Sequence, residues 1–298
     1  MRKLSNFFLF LIFLLIMISG CTNVYQTSEP ITPVYRGVFI DQFKFILPHK
    51  ERNEKLLQWI KEEQFNALLL YDLNVLLRGN KHQEALSQFI NQAHKSGIQD
   101  ISAIGMYARP LIDRISRFET EKTGHSEKLI HTFFLELEWW NRQSTLEQYS
   151  YELKTLYEYK LSLTPELQPE IAAYIGWLSD NYEESIRQAE FLVNHADVIH
   201  VHIYQSEPQL SYILPRLQKL YHVAHNLPAE DRPQIVFMFS IELEFSARLI
   251  RDVSYNEIFT YLIRQIQQQQ ENGNLPPNFL RVLKIQGYAV FAQSFARS

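Results

Sequence analysis

Eight short apolar runs, at 35–40, 66–72, 100–107, 131–138, 170–178, 197–204, 234–242 and 287–293, alternate along the chain with longer stretches of helical period. In the longer stretches the apolar residues recur every three or four positions. Leu86, Phe89, Ile90 and Ala93 share one helical face, as do Ile213, Leu214, Leu217, Leu220, Tyr221 and Ala224, and later Ile258, Leu262, Ile263 and Ile266. The runs themselves are apolar almost throughout, as strands of a parallel sheet covered by helices on its outer face must be. Eight strand-helix units over residues 35–298 predict an α/β fold, a single (β/α)8 TIM-type barrel. After the eighth run too few residues remain for a last helix, so the segment 276–286 or the N-terminal tether is expected to cover that position.

The competing architecture is an open doubly wound sheet, which commonly carries a glycine-rich phosphate turn after its first strand. Here the first strand runs into "DQFKFILPHK", which has no glycine. The whole chain holds 9 glycines and no GxGxxG or P-loop pattern. No nucleotide cofactor is expected.

The amino terminus has a different pattern. Arg2 and Lys3 precede an unbroken apolar run from Phe7 to Ile18, followed by small residues and Cys21. This is the three-part layout of an export signal, with an apolar core short for a membrane span. Cys21 is the only cysteine, which rules out an intramolecular disulfide. "ISGC" resembles the lipobox of bacterial lipoproteins. That resemblance implies cleavage after residue 20, acylation of Cys21 and anchorage to the bacterial cell envelope, and the absence of aspartate at Thr22 implies the outer membrane. Residues 1–20 are then the signal peptide, 21–34 a polar tether with two prolines, and 35–298 the barrel domain. Loss of Arg2 and Lys3 moves the formal charge from −4 to −6, which gives the chain no electrostatic reason to bind nucleic acid.

Candidate chemistry centres on "FFLELEWWN", residues 133–141. Barrel strands point alternate residues inward. With Leu135 and Leu137 outward, Glu136 and Glu138 face the interior with Cα atoms about 6.6 Å apart. Strand carboxyl ends build the active site in this fold, and burying a carboxylate without partners costs several kcal/mol. Trp139, Trp140 and Asn141 follow at once, and indole rings beside carboxylates suit sugars, whose apolar faces stack while their hydroxyls hydrogen-bond. The other strand ends add Asp41, Tyr71, Trp177, Tyr204, Gln205 and Glu242.

Glutamates at the ends of strands 4 and 7 resemble the arrangement of the large retaining glycosidase clan. The resemblance implies that Glu138 is the acid/base and Glu242 the nucleophile, with Glu136 as an alternative partner. "HTFFLELE" is also similar to the DxxDxDxE strand of chitinase-like enzymes, with Glu136 and Glu138 in the last two acidic positions and Tyr204 in the place of the strand-6 tyrosine. Both imply a carbohydrate substrate and no metal. Two alternatives stay open. The barrel could bind glycan without turnover, or His200, His202 and Tyr204 could join the glutamates in a metal-dependent enzyme.

Overall fold

The computed structural model describes residues 32–124, 128–141, 144–240 and 253–292. Its eight strands are β1 (Tyr35–Ile40), β2 (Ala67–Leu70), β3 (Asp100–Gly105), β4 (Thr132–Leu135), β5 (Glu170–Ile175), β6 (Val198–His202), β7 (Gln234–Ser240) and β8 (Ile285–Ala292). They pair in sequence order, all in parallel, and β8 returns to β1 to close the barrel, with Val38 opposite both Leu68 and Val290. Each strand from β1 to β7 is followed by a helix: α1 (Lys50–Glu62), α2 (Gln83–Lys95), α3 (Ala108–Thr123), α4 (Leu146–Leu161), α5 (Tyr182–His195), α6 (Leu210–Ala224) and α7 (Tyr255–Glu271).

Local chemistry starts several of these helices. Thr145 Oγ1 accepts from the Gln148 amide, Asn181 Oδ1 from the Glu184 amide, and Ser254 and Glu257 form a reciprocal capping box. The faces expected from periodicity are buried at Leu86, Phe89, Ile90 and Ala93 of α2 and at Ile258, Leu262, Ile263 and Ile266 of α7. The face of α6 differs. Leu214 and Tyr221 are only partly covered, and Arg216 is buried between Ile213 and Leu217.

Alternation along the strands divides two cores. Outward residues such as Leu68, Phe133, Ile171, Ile199, Phe237 and Val290 pack under the helices, fully or almost fully buried. Inward residues Phe39, Leu69, Ile104, Phe134, Ala172, Val236, Met238 and Ala289 fill the barrel itself. At its amino-terminal end Asp100 accepts from the Ser102 and Thr132 hydroxyls, each at 2.9 Å. His200 lies above, ringed by Tyr35, Phe39 and Phe134. Interior volume is thus used by side chains up to the carboxyl-terminal mouth.

The segment before β8 does not take the position of a last helix. Phe279–Leu283 forms a short helix that packs on α6, where the rings of Phe279 and Tyr221 stack at 5.0 Å and the Tyr221 hydroxyl donates to Asn278. The outer face of β8 is covered instead by the start of α7: Tyr288 packs against Tyr255 and Phe259 and donates to Asn256 at 3.0 Å. Tyr255 reaches on to Phe65, just before β2. Large aromatic rings bridge there what a further helix would otherwise fill. Most of the alternative cover, the tether, lies outside the described residues.

The seam between β1 and β8 depends on one close approach. A Cβ at Gly287 would sit 1.8 Å from the Tyr35 carbonyl oxygen, a backbone atom that cannot yield without moving the strand. Gly287→Ala is therefore expected to cost about 3 kcal/mol or more, or to abolish folding. Gly79→Ala, at an exposed site where a Cβ meets nothing, should stay within about 0.5 kcal/mol of wild type. Urea unfolding of the two variants checks the contrast.

Candidate functional site

The ladder of β4 ends just before the acids, yet its alternation continues. The Glu136 amide still donates to the Gly105 carbonyl at 3.0 Å, and Leu135 and Leu137 are buried under the helices. Glu136 and Glu138 consequently emerge on the inner side, partly covered, at the carboxyl-terminal mouth.

Each carboxylate meets a phenol from another strand end, Glu136 from β2, two strands away across β3, and Glu138 from the adjacent β5. Tyr71, one residue beyond β2, donates its hydroxyl to Glu136 Oε1. Tyr174, on the inward face of β5, donates to Glu138 Oε1, and the Asn141 amide nitrogen donates to Glu138 Oε2. Both phenols are pushed well above the usual tyrosine range by burial, with the facing carboxylates adding to the effect, so they remain protonated donors. Glu136 is pushed up to about 7, first by burial and then by the charges of Glu138 and Asp41, against the pull of the Tyr71 hydrogen bond. A carboxyl in that range exchanges its proton near neutrality, which suits an acid-base group.

The aromatic residues predicted beside the acids divide into two sets. Trp139 lies against Tyr149 at 4.2 Å and Trp140 at 4.5 Å; Trp140 turns inward and packs edge-on against Tyr174 at 5.0 Å. Room for the Trp140 indole exists because residue 176 is glycine: a Cβ there would stand 2.4 Å from the ring nitrogen. Tyr204 lies against His202 with ring centres 3.6 Å apart and faces Phe291 across the mouth. Trp177, by contrast, stands on the rim, 48% exposed. Asp41 closes β1, and its carboxylate accepts from the Gln42 amide at 2.7 Å. Gln205 Oε1 is buried without a partner. Asn141 is committed to Glu138. Glu242 lies outside the described residues, as does Cys21.

His200 and His202 share the inner face of β6 as their spacing predicts. Burial lowers both to about 3, with the Arg216 charge a second cause at His202, so both imidazoles are neutral at physiological pH. Among the described residues no three His, Cys, Asp or Glu side chains converge where an ion could be held. The histidines meet aromatic rings, and Glu136 and Glu138 meet phenols. Tyr174, Gly176 and Arg216 were not singled out in the sequence. The first two read there as ordinary strand residues, although Ala172, Tyr174 and Gly176 fall on one alternating face.

No protein-family model and no curated protein sequence matches this chain. Its fold, however, recurs among solved structures. ScGas2, crystallised in complex with a compound, aligns over 90% of this chain at a TM-score of 0.52 and 10% identity; the chain spans 57% of that protein. The amino-terminal domain of a putative aldolase from Bacteroides vulgatus aligns over 89% of this chain and 74% of its own, at 0.48 and 9%. The endo-1,4-beta-mannanase of Rhizomucor miehei aligns over 87% and 85%, at 0.47 and 10%. At such identities what is shared is the barrel.

The environment of Glu136 makes stability depend on pH. Its folded-state value of about 7 lies above the ordinary 4.5, so the folded protein holds this proton more tightly than the unfolded chain. The stabilisation is complete below about pH 4.5 and is lost as pH rises through about 7. Glu136→Gln keeps an acceptor for Tyr71 and cannot ionise. From pH 5 to pH 8 wild type should lose up to about 3 kcal/mol relative to this variant, measured by urea unfolding at both values; a constant difference would show that Glu136 ionises as it does in water.

Proposed function

We propose that the protein is a carbohydrate-active barrel that holds a glycan at its carboxyl-terminal mouth and hydrolyses a glycosidic bond there. The observation that carries this reading is the pair of inward glutamates, each bonded to a phenol from another strand end, with indole rings beside them. Glycoside hydrolysis needs two carboxyl groups in different protonation states. Glu136, partly covered and titrating near neutrality, fits the proton donor better than Glu138, to which the glycosidase resemblance gave that role. In net terms the Glu136 proton passes to the leaving oxygen as the bond from the anomeric carbon breaks. Water adds its hydroxyl to that carbon and yields its proton to Glu138. Trp139, Trp140, Trp177 and Tyr204 would serve as stacking surfaces, and Asp41 and Gln205 would bind hydroxyls.

One observation favours a second reading, binding without turnover. Both oxygens of Glu138 are already engaged, by Tyr174 and by Asn141. The location in this proposal is the bacterial cell envelope, most simply the outer membrane, reached through the lipobox-like signal and held by lipid on Cys21; acyl chains contribute about 0.8 kcal/mol per buried methylene.

Glu136→Gln and Glu138→Gln separate the readings. For an enzyme, each should lower kcat on a soluble polysaccharide by at least about a hundredfold while affinity changes little. Wild-type kcat should fall as pH rises through about 7, since the acid must carry its proton. For a binding protein no turnover exists to lose, and isothermal titration alone responds. Wild type that neither cleaves nor binds any glycan in a broad panel would end both. Location is checked by labelling cells with radioactive palmitate: wild type should incorporate label and Cys21→Ala should not.

A further inference from the structure

Arg216 is a cation in an unusual place. It lies on α6, is 2% exposed, and among the described residues forms no ion pair with a carboxylate. Its charge is met by carbonyls: Nη1 donates to Gly176 O at the end of β5 and to His202 O at the end of β6, the latter at 2.8 Å, and Nη2 donates to Tyr212 O at 3.0 Å. The guanidinium also stacks with two rings, 5.1 Å from Trp177 and 4.6 Å from Tyr212, and those rings meet edge to face at 5.0 Å. Burying such a charge is costly, so the contacts it makes are strongly determined. The planar fork of arginine can bridge two carbonyls while its faces hold aromatic rings; lysine, a point charge, cannot do both.

We propose that Arg216 is the positioning residue of the β5–β6 side of the mouth, joining the two strand ends and presenting Trp177 as an outer platform on which a sugar unit stacks. The inference rests on the carbohydrate reading for its ligand but not for its geometry. Gly176, whose carbonyl it holds, carries the close contact with Trp140; His202, whose carbonyl it also holds, precedes Tyr204 by two residues. One guanidinium therefore ties the outer indole to the backbone beneath two inner rings. Trp177 has about half its surface free for a ligand.

A double-mutant cycle tests this. Affinities of wild type, Trp177→Ala, Arg216→Lys and the double variant are measured for cellohexaose, mannohexaose, chitohexaose and laminarihexaose. Arg216→Lys and Trp177→Ala should each weaken binding of the ligand that binds wild type by about tenfold, with the double variant no weaker than Trp177→Ala. The kcat on that ligand should hold while KM rises. Additive losses, or an affinity untouched by Arg216→Lys, would overturn the proposal while leaving the carbohydrate reading in place. A second readout needs no ligand. Trp177 emission, obtained as the difference between each protein and its Trp177→Phe counterpart, should shift to the red in Arg216→Lys as the indole is released to water; an unchanged spectrum counts against the clamp even where no hexaose binds wild type and the carbohydrate reading has failed. If Arg216→Lys does not fold, Tyr212→Leu, which removes one ring from the stack and keeps the carbonyl contacts, takes its place in both measurements with the same expected directions.

Discussion

A carboxylate inside a barrel must find donors, and the mouth of this protein is organised by that requirement. Glu136 and Glu138 leave β4 on the inner side because their neighbours Leu135 and Leu137 are claimed by the helical layer. Having been placed there, they need hydrogen bonds that water supplies only in part. Tyr71, from the end of β2 two strands away, and Tyr174, from the adjacent β5, provide them, and in doing so set where those phenols point. Tyr174 in turn supports the Trp140 indole, which is possible only because residue 176 lacks a side chain. Acids, phenols, indole and glycine form one dependent series. Removing any member leaves a polar group unpaired or a cavity, each costing on the order of 1–3 kcal/mol.

Two kinds of polar interior coexist in the barrel and do different things. At the amino-terminal end Asp100 is partly covered and satisfied by short hydroxyl side chains, Ser102 and Thr132, that are themselves buried. At the other end the partners are long phenols, with an indole packed on one of them, around partly exposed carboxylates. The first arrangement stabilises a closed core. The second leaves a carboxyl titrating near neutrality, as acid-base chemistry requires. Neutral, buried His200 lies between the two, and burial keeps its ring uncharged.

The architecture was largely legible in the chain because it depends on period: a change from two to 3.6 along eight units leaves few alternatives to a closed barrel. The inward direction of Glu136 and Glu138 was legible for the same reason, since Leu135 and Leu137 fixed the opposite face. What escaped was pairing across space. Tyr174 sits in an apolar strand and looks like packing until Glu138 is brought beside it. Arg216 interrupts the apolar face of α6 and reads as a surface charge, because nothing nearby in sequence shows that two strand-end carbonyls and two rings converge on it. Counting elements left either the segment 276–286 or the N-terminal tether to take the place of the last helix. The segment packs on α6 instead, since Phe279 finds Tyr221 there while Tyr255 and Phe259 already cover Tyr288.

Closure of the barrel joins residues 35–40 to residues 287–292, about 250 positions apart. The loop entropy of that junction is among the largest in the molecule, and no local contact offsets it in advance. During synthesis the first strand must therefore wait, one edge unpaired, until the last has left the ribosome. Until then the ring of hydrogen bonds stays open, and lasting protection of the first strand's amides comes only with the final one.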